Sequence, residues 1–273
     1  MTPQASSISL SNDYFVQLIN ALGWEPETRI YMLWAYLDSS AASIQPHRYI
    51  VGGGVATCET WQKIKVLWDE RLQSMRNPTP IARFDHQQFK QACTGAAKEG
   101  DPFYGWDLTQ LNLLLKDLAT IICVHEVHYL CASVPVVSDK ELVRTSYMEA
   151  IETILKRSEK ISGLIDLPEK ISLMFSMRSE LPETHIQKLF QTLQKNHPSM
   201  EYCVIANADR EIPLQAAGLI VSEMSQSRKV RQGVDSKTRA PFMTDIMSCL
   251  TKQPPFHQMI EWHVSDDFKA PTD

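Results

Sequence analysis

The stretch Glu27–Leu37 limits most what this chain can become. Ile30, Met32, Trp34 and Tyr36 fall on one side of an extended backbone, and Tyr31, Leu33, Ala35 and Leu37 on the other. A strand that is apolar on both sides has no face to offer to water. It predicts a central strand covered above and below. The strand ends at the polar turn Asp38-Ser39-Ser40, and His47–Ala56 predicts a second strand. The short polar spacer between them makes the pair an antiparallel hairpin.

The rest of the chain supplies helices and further strands in alternation. Asn12 or Asp13 can cap a short helix that runs through Leu22 and stops at Gly23. Thr57 is a plausible N-cap for a helix reaching about Met75, whose 3.6-residue face carries Trp61, Ile64, Lys65, Trp68 and Leu72. Asn77-Pro78-Thr79-Pro80 stops it. Ile81–Phe84 reads as a short strand, and Phe89 opens a small helical piece. After a glycine- and charge-rich loop, Asp107 caps a helix carrying Leu108, Leu111, Leu114, Leu115 and Leu118. A strand near Ile122–Val134, a long helix Ser138–Ser162, a strand Lys170–Met177, a helix Pro182–Asn196 and a strand Tyr202–Ala206 follow. Pro213–Gln226 is a further helix, and Arg228–Arg239 reads as a basic polar loop. The tail offers one helix, Phe242–Leu250, and an ambiguous segment.

Strands come first and then alternate with helices, which predicts an α/β fold: a mixed sheet with helices on both faces. Three parts are expected: residues 1–28 as an N-terminal extension, 29–228 as the main domain, and 229–273 as a basic loop with a C-terminal helical extension. With 44% hydrophobic residues in 273, the chain can bury a proper core. A net charge of -5 excludes a global basic field, so any contact with nucleic acid must be a local patch. The cysteines form no C-x-x-C pair and read as reduced, which fits a cytoplasmic protein. No stretch approaches the roughly 18 apolar residues of a membrane span, so no membrane partner is expected.

One run imitates a metal-ligand set: Cys123, His125, His128 and Cys131. Placed on a single strand, their side chains diverge to both faces and cannot close a tetrahedron around zinc.

Several segments together resemble the bacterial family called domain of unknown function 3800, over about residues 29–228. They are Tyr36-Leu37-Asp38-Ser39, Tyr49-Ile50-Val51-Gly52-Gly53, and the helix with Trp61 and Trp68. Further on come Phe84-Asp85-His86-Gln87-Gln88-Phe89, Phe103-Tyr104-Gly105-Trp106 and Pro213-Leu214-Gln215-Ala216-Ala217. The resemblance implies a ribonuclease H-like fold. That fold gathers acids from its first strand, a later strand and its last helix around Mg²⁺ or Mn²⁺. Phosphodiester cleavage by two such ions needs several carboxylates converging on metals about 4 Å apart.

The chain departs from the family at most of those acids. Where members read Asp-Glu-Ser-Gly, this chain reads Asp38-Ser39-Ser40-Ala41. Asp85 takes the family histidine's place, His86 comes one residue late, and Gln88 stands where an acid would be. Phe175-Ser176-Met177 lacks the acid that many members carry. The final helix reads Gln215-x-x-Gly218 in place of Gln-x-x-Asp. Neutral Gly or Ser cannot supply the charge that holds a divalent cation, and Gly218 inside a helix costs roughly 1 kcal/mol relative to Ala.

Two functions from different classes follow. In the first, the chain is a ribonuclease H-like protein with a degenerate metal site that binds nucleic acid or a protein, cleaves nothing and needs no cofactor. In the alternative, it is an active divalent-metal nuclease or phosphodiesterase with a rearranged site. Asp38, Asp85 and His86 would then do the chemistry, and Asp38, Asp209 and Glu211 would hold Mg²⁺ or Mn²⁺. Each residue also has an ordinary explanation. Asp38 can cap its own turn, Asp85 can cap the helical piece around Phe89, and Asp209 and Glu211 can complement a helix N-terminus. Arg228, Lys229, Arg231, Lys237 and Arg239 form the basic cluster that a phosphate backbone would meet. A homodimer is a third possibility, since the tryptophans supply apolar area that an interface could use.

Overall fold

A computed structural model describes residues 14–23, 29–38, 48–75, 81–125, 127–135, 151–153, 155–156, 171–176, 183–198, 200–208, 210–231 and 260–263. Twelve elements are set out here in chain order: α1 (Tyr14–Leu22), β1 (Arg29–Asp38), β2 (Arg48–Thr57), α2 (Cys58–Ser74), α3 (His86–Cys93), α4 (Leu108–Cys123), β3 (His128–Pro135), β4 (Ile171–Ser176), α5 (Glu183–Asn196), β5 (Met200–Ala206), α6 (Ile212–Arg231) and β6 (Ile260–His263). Residues 151–153 and 155–156 are also helical and bury Ile151 and Leu155.

The six described strands lie in a mixed sheet in the order β5-β4-β1-β2-β3-β6. β1 pairs antiparallel with β2 along its whole length, from Arg29 opposite Thr57 to Asp38 opposite Arg48. β2 pairs antiparallel with β3. β1 with β4, β4 with β5 and β3 with β6 are parallel pairs. The strand with two apolar sides, β1, therefore takes an inner place with a partner on either edge.

Both faces of the sheet are covered along β2 and β4. All residues from Ser172 to Phe175 and from Val51 to Ala56 are buried, which alternating side chains permit only if layers lie above and below. Met174 and Ala56 join the main apolar cluster with residues of α2, α4 and α6. Gly54 sits beneath that layer. A Cβ there would lie 2.6 Å from Val127 Cγ1 and 2.9 Å from Trp61 Cη2, so the bare backbone lets α2 approach β2.

Local chemistry explains the element boundaries. Thr57 accepts from the N–H of Thr60 at 3.2 Å and starts α2. Asp107 and Gln110 exchange a reciprocal pair of bonds at the start of α4, at 2.8 and 3.0 Å. α2 buries Cys58, Trp61, Ile64, Trp68 and Leu72, and α4 buries Leu111, Leu114, Leu115, Leu118, Ala119, Ile122 and Cys123. An ion pair of 2.5 Å between Arg71 and Asp117 ties the two helices at their rim.

Three expectations need correction, and one open segment gains an element. Ile81–Phe84 is not a strand, because the N–H of Phe84 goes to a side chain of α6 instead of a sheet partner. α4 continues through Ile122 and Cys123, so the strand expected from Ile122 starts only at His128. Cys123 and Cys131 thus lie on different elements. The third correction concerns α6, which runs past Gln226 to Arg231 because no Gly or Pro interrupts it before Gly233. Arg228, Lys229 and Arg231 are consequently helical and not part of a loop. Finally, the ambiguous tail contains β6, which adds a strand to the same sheet. The Asn12 or Asp13 cap, most of Ser138–Ser162 and the helix Phe242–Leu250 lie outside the described residues. No helix among the described residues is long and apolar enough to cross a membrane.

Candidate functional site

α6 packs across β1 and β2 and touches α2, α3 and β4. Every residue from Glu211 to Glu223 is buried, so the first three turns are enclosed all round. A helix in that position is ordinarily apolar all round. This one instead encloses Glu211 at its entrance and Gln215, Ser222 and Glu223 along its length.

Gln215, Gly218 and Ser222 follow at intervals of three and four and so share one stripe of the helix. The segment Phe84-Asp85-His86 runs alongside. The N–H of Phe84 donates to Gln215 Oε1 at 2.9 Å. Two turns on, about 10 Å along the axis, Ser222 Oγ and His86 Nε2 share a short hydrogen bond. Gly218 lies between these two ties. The Phe84 ring packs on other aromatic rings: Phe89 at 5.3 Å, Trp68 at 6.0 Å and Phe103 at 6.1 Å between centroids. The segment thus touches both an aromatic cluster and the polar stripe.

Asp85 caps α3. Its Oδ1 accepts from the N–H of Gln87 at 2.8 Å and of Gln88 at 3.0 Å, which occupies that oxygen in local structure. His86 is half-buried and faces Ser222.

Glu211 immediately precedes α6, and its carbonyl accepts from the N–H of Gln215 at 3.1 Å. Its side chain is 2% exposed, and Oε1 is buried without a hydrogen-bond partner. Burial pushes the carboxyl up to about 7, against a smaller opposing pull from the Lys65 ammonium on α2. Glu211 and Ser222 are eleven residues apart on the helix, roughly 16 Å along its axis. The structure therefore brings His86 to Ser222 and does not bring His86 to Glu211.

The remaining candidates are placed less fully. Asp38 is the last residue of β1 and pairs with Arg48 of β2. Asp209, Lys237 and Arg239 lie outside the described residues. Arg228, Lys229 and Arg231 occupy the C-terminal end of α6. Ser176 is buried at the end of β4.

Among the described residues no three His, Cys, Asp or Glu side chains form a metal-ligand group. Two hard cations about 4 Å apart require several converging carboxylates. The described wall of α6 offers two buried carboxyls, Glu211 at its head and Glu223 twelve residues on, roughly 18 Å along the axis, with the neutral Gln215, Gly218 and Ser222 between them. Carboxyls that far apart on one helix do not converge on a single pair of ions.

Two participants escaped the sequence reading. Ser222 had a signal, since it lies one turn beyond Gly218 on the Gln215 stripe. Lys65 had another: a lysine within the apolar face of α2. No protein-family model matches the chain, and no curated protein matches it.

Proposed function

We propose that this chain is a ribonuclease H-like-fold protein whose metal site has degenerated, and that it binds nucleic acid, or a protein, without cleaving it. Support for the fold comes from a hairpin start, β1–β2, continued antiparallel to β3 on one side and parallel through β4 and β5 on the other. A relationship to the domain of unknown function 3800 family is part of the same proposal. The observation that carries the functional half is the enclosed stripe Gln215–Gly218–Ser222. Where the fold's last helix would present an acid, this helix presents a glycine. The histidine of the neighbouring segment is one residue late and meets a serine one turn further on. The basic end of α6, with Arg228, Lys229 and Arg231, is the surface proposed to meet a phosphate backbone.

One observation favours the alternative of an active nuclease: the buried carboxyl of Glu211, which has an oxygen without a partner at the head of α6. The test separates the two. Purified protein is incubated with single- and double-stranded DNA and RNA and Mn²⁺, as wild type, Asp38→Ala and Gly218→Asp. Binding to the same strands is read by fluorescence anisotropy across a salt series. The proposal expects no cleavage by wild type and binding that weakens as salt rises. Cleavage by wild type that Asp38→Ala abolishes overturns it in favour of a rebuilt site. Absence of both cleavage and strand binding rejects the nucleic-acid half and leaves a protein partner.

A further inference from the structure

We draw no further inference here: the strongest candidate, the buried Glu211 carboxyl at the N-terminal end of α6, belongs to the candidate site already described and would rest on the titration of a group two residues from Asp209, itself a candidate ligand of that site.

Discussion

Helices α2 and α6 touch each other, yet they bury different kinds of surface. α2 is amphipathic: Trp61, Ile64, Trp68 and Leu72 face the core while Glu59, Lys63 and Glu70 face water. α6 has no wet face over its first three turns, and it still carries acids, an amide and a hydroxyl there. Buried apolar groups stabilise wherever they pack, whereas buried polar groups cost stability unless each finds a partner. The α2 side is therefore explained by its own sequence. The α6 side makes sense only through residues far away in the chain, Phe84 and His86 above all.

The largest break in this comparison comes from the apolar side. Trp68 is fully enclosed and meets Phe84 edge-on. Trp68→Ala is expected to cost about 3–5 kcal/mol, read as a lower urea midpoint. A loss under about 1 kcal/mol would mean that α2 is not the packed layer described.

Next is Glu211, where the effect depends on pH. Its carboxyl holds a proton up to about 7 in the folded protein, against an ordinary value of 4.5. The folded state thus binds this proton more tightly than the unfolded state. Its contribution to stability is complete below pH 4.5, falls as pH rises through 7 and is absent above that. The loss amounts to up to about 3 kcal/mol. Urea midpoints at pH 4 and pH 8 should diverge for wild type and converge for Glu211→Gln. Equal pH dependence in the two proteins would show that Glu211 is not the titrating group.

Gly54 tests how closely the helical layer lies on the sheet. A methyl group there meets Val127 and Trp61 at 2.6 and 2.9 Å, so Gly54→Ala should destabilise by roughly 1–3 kcal/mol. Unchanged thermal stability would place α2 further from β2. The smallest effect belongs to the polar stripe. Gln215→Leu leaves the buried N–H of Phe84 without its acceptor, at about 1–2 kcal/mol. Hydrogen exchange at the Phe84 amide should accelerate while exchange in α4 holds. If both accelerate together, the stripe is part of the common core and the contrast between the two helices dissolves.

Much of the frame was legible in the sequence because its signals are local. Thr57, Asp85 and Asp107 each cap the helix that follows, through bonds spanning two or three residues. The inner place of β1 follows from its two apolar sides. What escaped depends on contacts between distant segments. The four residues of β6, Ile260-Glu261-Trp262-His263, alternate apolar and polar, but so short a run does not decide a strand by itself, and their partner β3 lies over a hundred residues earlier. Ile81 and Phe84 suggested a strand because both are apolar, but both are buried without a ladder. Of the candidate site, Gln215 and Gly218 were reached only through the resemblance, and Glu211 by its nearness to the helix start. The pairing of His86 with Ser222 spans 136 residues and has no local trace.

The tie from Phe84 to Gln215 spans 131 residues, and that separation has a consequence for how the molecule assembles. The ordering entropy of closing such a loop grows with the logarithm of its length, roughly 4 kcal/mol from that factor alone. The hairpin β1–β2 and the α2–α4 pair close far shorter loops and can gather early. The inner face of α6 is then expected to find its partners last, once most of the sheet exists. During synthesis, the stretch from Phe84 to Phe103 would wait for a helix not yet made, which makes that interval the moment of greatest exposure to aggregation or to a chaperone.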